Sequence, residues 1–315
     1  MNPLVVIIGP TGVGKSQLAL RLARRLDGEI LSADSRQVYR YMDIGTAKPS
    51  PEERKLVPHH LIDLVDPDEE FNLALFLELA NRKLEEVRSR GRLPLLVGGT
   101  GLYIWAFLEG WRLPHTPPNP ELRKELEERA RVEGIDSLYQ ELWEVDPEAA
   151  RKIDPRNVRR VIRALEVHRV SGRRFSELSQ RSKLKAGVLI IGLHLPRPEL
   201  YRRIDLRVEE MIQKGLVEEV RWLLEQGYSP SLPSMSGVGY RQICQYLRGE
   251  LSLPEAVQRI KYETHRFARH QYAWFRLEDE RIHWLEAGEG VEEQALRLIR
   301  DAFPNLLASG IASSS

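Results

Sequence analysis

Apolar and polar positions along the chain follow two different periods. Short aliphatic runs bounded by turn residues predict buried strands at 4–8, 29–33, 60–64, 93–98, 187–194 and 282–286. Longer runs with apolar residues three and four apart predict helices at 15–26, 71–90, 198–213, 216–226 and 253–276. Strands that alternate with helices are typical of an α/β protein, so we expect a mainly parallel sheet flanked by helices.

A second pattern interrupts this alternation. From Pro114 to about Lys185 the apolar spacing is helical throughout, and the segment PHTPPNP at 114–120 supplies prolines at its start. We therefore predict an all-helical insertion domain over 114–185 and a core that is discontinuous in sequence, formed by 1–113 and 186–305. The small and polar residues of 306–315 predict a flexible tail.

The composition indicates a soluble protein with a substantial core. Of 315 residues, 42% are apolar and 30% are charged, and no apolar run approaches the roughly 18 residues that span a bilayer. The chain begins directly with a strand and shows no signal-peptide pattern, so we expect a cytoplasmic monomer without a membrane partner. The single cysteine, Cys244, excludes an internal disulfide and a cysteine metal cluster.

The net charge of +1 hides an uneven distribution within the predicted insertion. Residues 119–150 are rich in Asp and Glu, whereas residues 151–185 carry twelve Lys or Arg and three Asp or Glu. A basic run of this kind suits the phosphate backbone of a nucleic acid, and a solvated helix face explains it equally well. The charge pattern alone leaves both interpretations open.

The segment LVVIIGPTGVGKS, residues 4–16, has the spacing of a P-loop between a predicted strand and a predicted helix. Its glycines let backbone N–H groups turn toward a phosphate, while Lys15 adds a positive charge and Ser16 a hydroxyl for Mg²⁺. The predicted diphosphate- or nucleotide-binding residues are Gly9, Pro10, Thr11, Gly12, Val13, Gly14, Lys15 and Ser16.

Two polar side chains follow other predicted strands. Asp34 comes after the second strand, and because the carboxyl ends of parallel strands share one edge, we expect it beside the P-loop. The strand LPLLV (93–97) continues into GGTGLY, without the acidic residue that P-loop phosphoryl-transfer enzymes place there. Thr100 is the polar side chain at that end, and a turn or helix cap is the alternative for both residues. The missing acid counts against phosphoryl transfer.

Two later segments combine basic residues with aromatic residues or glycines. The predicted helix RIKYETHRFARHQYAWFR, 259–276, has the composition of a surface that stacks on RNA bases, although we expect most of its aromatic side chains to pack on the sheet. The segment SGVGYRQ, 236–242, places glycines around a turn that presents Tyr240 and Arg241, and an ordinary helix start is the alternative.

The order of these motifs resembles one family. The segments GPTGVGKS, LSADSRQVYRYMDIGTAKP, PHHLID, LPLLVGGTGLY, IRALEVHRVSG, GVGYRQ and RHQYAWFR occur in the same order in the tRNA dimethylallyltransferases, also called tRNA isopentenyltransferases. The resemblance covers residues 4 to about 286. It implies a P-loop NTPase-like core that uses dimethylallyl diphosphate to prenylate the adenosine immediately 3′ of the anticodon, in tRNAs that read codons beginning with U.

The resemblance also implies roles for single residues. The P-loop, with Lys15 and a Mg²⁺ ion on Ser16, would hold the diphosphate leaving group, and Asp34 would take the proton of the adenine amine as general base. Thr100 would lie beside the reacting atoms, and Arg221 would contact the diphosphate. The residues implied in binding the tRNA anticodon stem-loop are Asp34, Ser35, Arg36, Gln37, Thr100, Arg159, Arg160, Val161, Ile162, Arg163, Ser236, Gly237, Val238, Gly239, Tyr240, Arg241, Arg269 and Gln271.

Three competing interpretations make different demands on the sequence. An ATP-dependent small-molecule kinase needs an acidic residue after LPLLV, which the chain lacks. An enzyme that prenylates free adenylate has no need of a long basic insertion. An RNA-binding protein with a nucleotide switch would keep its function after Asp34→Asn.

Overall fold

The computed structural model describes residues 2–113, 116, 119–178, 180–181 and 187–304. The strands of these residues are β1 (Pro3–Ile8), β2 (Gly28–Ser32), β3 (His59–His60), β4 (Leu93–Val97), β5 (Trp111–Arg112), β6 (Gln180–Arg181), β7 (Gly187–His194) and β8 (Ile282–Glu286). Six of them form one sheet in the order β3-β2-β4-β1-β7-β8, and every neighbouring pair is parallel.

Helices connect and cover these strands. They are α1 (Lys15–Arg25), α2 (Pro51–Leu56), α3 (Leu73–Ser89), α4 (Gly101–Leu108), α5 (Pro120–Val132), α6 (Ile135–Val145), α7 (Pro147–Lys152), α8 (Val158–Ser171), α9 (Phe175–Leu178), α10 (Arg197–Gln213), α11 (Leu216–Glu225), α12 (Tyr240–Leu247), α13 (Leu253–Trp274) and α14 (Val291–Ala302). Among the residues described, no helix is both long enough and apolar enough to cross a membrane.

The α/β prediction is confirmed, and each of the six predicted strands is present in the large sheet. The strand predicted at 60–64 is shortened to β3, because Leu61 and Asp63 adopt left-handed backbone angles (φ 65° and 53°) that end an extended segment. The residues of β2 and β4 are buried throughout. Burial on both faces explains why parallel strands appear in the sequence as continuous apolar runs.

The strand order determines where a site can form. β1 lies between β4 and β7, and β2 lies on the far side of β4. The P-loop after β1, Asp34 after β2 and the glycine-rich turn after β4 therefore leave the same edge of three consecutive strands. In open parallel sheets this edge is where ligands bind.

The chain divides into two compact units, 1–105 with 185–315, and 106–184. The second unit has its own apolar core, to which Leu126, Leu142 and Leu165 belong. It is not entirely helical as predicted, since β5 and β6 pair as a short antiparallel ribbon. Two-residue strands lack the length from which an alternating pattern is recognised. The tail predicted at 306–315 lies outside the described residues.

Candidate active site

The P-loop folds tightly because two of its glycines meet neighbouring elements. Gly9 has φ 140°, and a Cβ atom there would lie 2.4 Å from the carbonyl oxygen of Leu193. Gly12 has φ 82°, and a Cβ atom there would lie 2.8 Å from Cγ1 of Ile204 on α10. Larger residues would displace the loop from β7 and α10, so these glycines fix the position in which α1 begins at Lys15.

Lys15 is held against its own loop. Its Nζ donates hydrogen bonds to the carbonyl oxygens of Gly9 (2.9 Å) and Pro10 (2.8 Å). The withdrawal of the ammonium group from solvent, together with the positive charge of Arg207, lowers the pKa of Lys15 to about 7, while the carboxylate of Asp34 opposes that shift. Lys15 therefore lies among charged groups and changes its own charge near neutral pH.

Asp34 and Thr100 are brought together by the ends of β2 and β4. Oδ1 of Asp34 accepts from the backbone N–H of Arg36 (2.8 Å), and Oγ1 of Thr100 accepts from the backbone N–H of Ser35 (3.1 Å). The close approach requires Gly98, where a Cβ atom would lie 2.2 Å from the carbonyl oxygen of Ala33. Both polar side chains thus brace the turn, as the capping alternative predicted, and also face the cavities described next.

Two cavities open at the carboxyl edge of the sheet. The first, about 450 Å³, is lined by P-loop residues that include Ser16, and by Lys48 and Arg203. The second, about 310 Å³, is lined by Thr100, by α10, α12 and α13, and by the segment 236–239. Both cavities share the lining residues Thr11, Lys15, Asp34, Thr46, Gly99 and Arg207. A molecule in either cavity therefore meets the same charged groups.

Arg207 is a site residue that the sequence analysis missed. It lies on α10 between Ile204 and Val208, which also line the second cavity. Removal of solvent around its guanidinium lowers its pKa, and the negative charge of Asp34 opposes that effect. An arginine within an apolar stripe of a helix was the signal available in the sequence, because such a position faces the protein interior.

The diphosphate contact expected of Arg221 stays a prediction, because the structure shows this side chain largely in solvent. Its side chain on α11 is 48% exposed, and its guanidinium lies 3.8 Å from the Glu218 carboxylate. Arg221 lines neither cavity. Arg207, by contrast, lines both cavities.

Gln271 joins the P-loop to the turn after β4. Its Oε1 accepts from the backbone N–H of Thr11 (2.7 Å), and its Nε2 donates to the carbonyl oxygen of Gly99 (2.9 Å). The side chain is only 4% exposed. Gln271 therefore has a positioning role between two loops, and it also lines the second cavity, so its expected RNA contact stays a prediction.

Arg36 and Gln37 also use their side chains to hold loops together. Arg36 donates through Nη1 to the carbonyl oxygen of Pro233 (2.6 Å) and through Nη2 to Oγ of Ser236 (3.3 Å). Gln37 donates through Nε2 to the carbonyl oxygens of Thr46 (3.3 Å) and Ala47 (3.2 Å). Arg36 and Ser236 line the second cavity, and Gln37 lines the first.

The glycine turn before α12 places Tyr240 inside the protein. Ser236, Gly237, Val238 and Gly239 line the second cavity as expected, but Tyr240 is 1% exposed and packs on Gly45. Arg241 is exposed and pairs with the Glu263 carboxylate. The Tyr240 ring therefore supports the backbone around Gly45.

Glu219 is a second residue that the sequence did not reveal. Its carboxylate accepts from the backbone N–H groups of Asp43 (2.9 Å), Ile44 (2.7 Å) and Gly45 (3.2 Å), and from the hydroxyl of Tyr240 (2.6 Å). One carboxylate thus fastens the loop that supplies Gly45 and Thr46 to the cavities. Its partners lie far away in sequence, so no local pattern marks it.

In the insertion the structure divides the expected RNA-binding residues into two groups. Arg159 and Arg160 on α8 are exposed, and within the described part of the chain no carboxylate pairs with either. Val161 and Ile162 are buried in the core of the insertion. Arg163 donates to Glu166 and to the carbonyl oxygen of Thr116 (2.8 Å). The expectation is therefore wrong for Val161 and Ile162, and Arg163 is part of an internal ion pair.

Three of the aromatic residues on α13 are exposed, contrary to the expectation that most pack on the sheet. Tyr262, Phe267 and Trp274 are about half exposed or more, whereas Phe275 just after the helix is buried. Phe267 lines the second cavity. The helix period places these side chains on different sides of α13, so only some of them can reach the sheet.

A divalent cation fits one part of the site. The described residues contain no group of three or more His, Cys, Asp or Glu side chains able to hold a metal by themselves. The exposed Ser16 hydroxyl lies at the start of α1 in the first cavity, beside Lys15. Mg²⁺ is commonly bound by one or two protein oxygens together with water and substrate phosphates. The Ser16 hydroxyl can supply one such protein oxygen.

Comparison with protein families matches nearly the whole chain. The model described as IPP transferase matches residues 37–278, and the model described as isopentenyl transferase matches residues 2–63. The tRNA dimethylallyltransferase of Thermomicrobium roseum is 58% identical over 275 residues, which is 87% of this chain and 84% of that protein. The tRNA dimethylallyltransferase of Dehalococcoides mccartyi is 50% identical over 310 residues, 98% of this chain and 94% of that protein.

Solved structures give the same result. A tRNA isopentenylpyrophosphate transferase from Bacillus halodurans superposes with a TM-score of 0.72 at 38% identity, covering 98% of this chain and 99% of that one. A eukaryotic dimethylallyltransferase acting on tRNA superposes with a TM-score of 0.78 at 27% identity, covering 98% of this chain and 80% of that one. The resemblance inferred from the motifs is thereby confirmed, and this chain belongs to the IPP transferase family.

Proposed function

We propose that this chain transfers a dimethylallyl group from dimethylallyl diphosphate to the exocyclic amine of the adenosine immediately 3′ of the anticodon, in tRNAs that read codons beginning with U. The observation that carries the proposal is the presence of Lys15, Asp34 and Arg207 in the lining that both cavities share. Cationic groups for a diphosphate and a carboxylate for the acceptor amine meet there.

The donor occupies the first cavity, with its diphosphate on the P-loop. The backbone N–H groups at the start of α1, the Lys15 ammonium and the Arg207 guanidinium surround that position. Their positive charge stabilises the negative charge that grows on the departing oxygen as the carbon–oxygen bond breaks. The loop thus holds a leaving group, which explains why no acidic residue is needed after β4 to orient a hydrolytic water.

The acceptor adenine enters the second cavity, where Asp34 and Thr100 lie. The amine nitrogen attacks C1 of the dimethylallyl group, the C1–O bond breaks, and diphosphate leaves with the electron pair of that bond. The Asp34 carboxylate takes the proton of the amine, a general-base contribution of about 10²- to 10⁴-fold. Oδ1 of Asp34 is engaged with the N–H of Arg36 (2.8 Å), so the carboxylate is held in one orientation.

We further propose that the divalent metal is Mg²⁺ and that the Ser16 hydroxyl is its protein ligand. When bound, the ion neutralises charge on the diphosphate and so favours its departure. Ser16 lines the first cavity with Lys15, so its hydroxyl would hold the ion on the side of the cavity where the diphosphate is proposed to bind.

The RNA partner in this proposal is the anticodon stem-loop. Extrusion of its stacked adenosine into the second cavity costs a few kcal/mol, which contacts to the surrounding RNA must offset. The exposed Arg159 and Arg160 of the insertion supply phosphate contacts. The groups assigned to the reaction all belong to one chain, so we propose a monomer that acts in the cytoplasm.

The test is transfer of radiolabel from dimethylallyl diphosphate to an unmodified anticodon stem-loop, with γ-labelled ATP in a parallel reaction. We expect label in the RNA for the wild type, and a rate about 10²- to 10⁴-fold lower for Asp34→Asn, which keeps the acceptor for Arg36 and loses the base. Phosphate transfer from ATP without prenylation would instead identify a kinase. If Asp34→Asn transfers label at the wild-type rate, Asp34 is not the general base.

A further inference from the structure

A cluster formed by α10 and α13 brings two guanidinium groups to one hydroxyl. The hydroxyl oxygen of Tyr201 on α10 accepts from Nε of Arg197 (2.9 Å) and from Nη1 of Arg269 on α13 (2.7 Å). A phenol has two acceptor lone pairs and one donor proton. Both lone pairs of Tyr201 are therefore used, and its O–H proton is directed to no acceptor in the part of the chain that the structure describes.

The two positive charges of this cluster are not neutralised. Within the described residues, no carboxylate forms an ion pair with Arg197 or Arg269. Of the carboxylates on the same stretch of α10, Glu199 pairs with Arg202 and Arg203, and Oδ1 of Asp205 lies close to the His265 ring. Two guanidiniums and a phenol O–H without a counter-charge form a set of donors suited to a phosphate group.

The cluster is held in place by the packing of its aromatic rings. The rings of Tyr201 and His265 stack with centroids 4.0 Å apart and planes 6° apart, and Arg197 lies over the Tyr201 ring at 5.2 Å. Nε2 of His265 lies 2.9 Å from Oδ1 of Asp205. The cationic groups are therefore positioned before any anion arrives, which lowers the entropy cost of binding one.

The position of the cluster along the helices identifies the kind of anion. On α13 the second cavity is lined by one stripe, Ile260, Thr264, Phe267 and Gln271, and the helix period places Arg269 on a different side of α13 from that stripe. A phosphate bound by the cluster would therefore lie outside the cavity assigned to the acceptor base, on two of the helices that also line that cavity. A polynucleotide carries such a phosphate next to each base, whereas the donor's diphosphate belongs to the P-loop.

We propose that Arg197, Tyr201 and Arg269 form a binding site for a backbone phosphate of the acceptor RNA, outside the second cavity that receives the base. The proposal rests on the proposed function, because it takes RNA as the acceptor. It adds Arg197 and Tyr201 to the substrate contacts and gives Arg269 a defined partner, the phosphate.

The test compares Arg197→Gln, Tyr201→Phe and Arg269→Gln with the control Arg202→Gln. The control removes the same charge from the same helix, at an arginine already paired with Glu199. Binding of a labelled, unmodified anticodon stem-loop is measured over a range of salt concentrations, without donor. We expect each arginine variant to weaken binding about 5- to 20-fold and to lower the salt slope by about 0.7 to 1, and Tyr201→Phe to weaken it less.

Two further measurements distinguish a site for an RNA phosphate from a site for the donor. The KM for dimethylallyl diphosphate stays within twofold of wild type in all four variants, and inorganic diphosphate does not compete with the RNA at this site. A raised KM, or competition that depends on Arg197, would assign the cluster to the donor instead. Unchanged salt slopes, or slopes that match Arg202→Gln, would overturn the proposal.

The outcomes also distinguish this proposal from the proposed function. RNA binding is measured separately from transfer. If the wild-type protein binds the stem-loop but transfers no label to it from dimethylallyl diphosphate, the proposed function is contradicted and the phosphate site is not. Wild type that transfers label, with variants that bind RNA normally, would contradict the phosphate site alone.

Discussion

The side-chain oxygen of Gln271 accepts a 2.7 Å hydrogen bond from the backbone N–H of Thr11. The two residues lie 260 positions apart, and the other end of the same amide donates to Gly99. One helix near the end of the chain therefore fixes the distance between the P-loop and the turn that carries Thr100. The position of the leaving group relative to the acceptor depends on this link.

Replacement of Gln271 by leucine should loosen that geometry. The variant keeps the volume but leaves the N–H of Thr11 and the carbonyl of Gly99 without partners, at a cost of about 1–3 kcal/mol. We expect kcat/KM for dimethylallyl diphosphate to fall roughly 5- to 100-fold in steady-state assays. The exposed neighbour variant His270→Gln should match wild type. Equal rates for both variants would show that the link has no functional role.

Arg207 and Arg221 offer a direct comparison of two arginines. Arg207→Gln removes a cation from the lining that both cavities share, and a hydrogen bond to a charged group is worth about 1.5–3 kcal/mol. We expect the KM for dimethylallyl diphosphate to rise roughly 10- to 100-fold. Arg221→Gln, at an exposed position on α11, should leave it within twofold. A larger rise in KM for Arg221→Gln than for Arg207→Gln would instead show that Arg221 contacts the diphosphate.

Donor binding should depend on the charge of Lys15. Its pKa of about 7 means that the ammonium form predominates below pH 7 and is lost as the pH rises through 7. We expect affinity for dimethylallyl diphosphate to decrease between pH 6 and pH 8, measured by fluorescence titration. Lys15→Arg keeps its charge throughout, so its affinity, although lower, should lack this step. A step that persists in Lys15→Arg would belong to another group, such as the diphosphate itself.

Glu219 should contribute more to stability than its neighbour. Glu219→Ala leaves three backbone N–H groups and the Tyr240 hydroxyl without their acceptor, so we expect the free energy of unfolding to fall by about 2–4 kcal/mol. Glu218→Ala removes only a loose surface pair and should change it by less than about 0.5 kcal/mol. Chemical denaturation monitored by circular dichroism measures both values. Similar losses for the two variants would contradict the role given to Glu219.

The arginines of α8 should separate into two classes. Arg159→Gln and Arg160→Gln should weaken binding of the stem-loop and reduce its salt dependence, since both side chains are exposed. Arg163→Gln should instead lower the melting temperature, because Glu166 is fully buried and loses one of its two arginine partners. Binding isotherms and thermal melts of the same three variants would show whether this division holds. Arg163→Gln with normal stability and weak RNA binding would contradict it.

Local patterns in the sequence were sufficient for the fold and for the centre of the site. The strands β1, β2 and β4 at the centre of the site are almost entirely buried, so each appears as an apolar run that needs no long-range information. The P-loop is set by backbone angles that glycines permit, and the order of strands then requires Asp34 to leave the same edge. These features depend on residues close to one another in the chain, and the sequence determined them.

The tertiary structure alone decided which side chains face the site. Arg207 and Arg221 lie on successive helices of similar composition, and only the rotation of each helix against the sheet directs the first inward. Val161 and Ile162 follow two exposed arginines directly, and the packing of α8 buries them. Gln271 and Glu219 act on loops more than 170 residues away. Such contacts arise when the chain packs, and no spacing within the sequence records them.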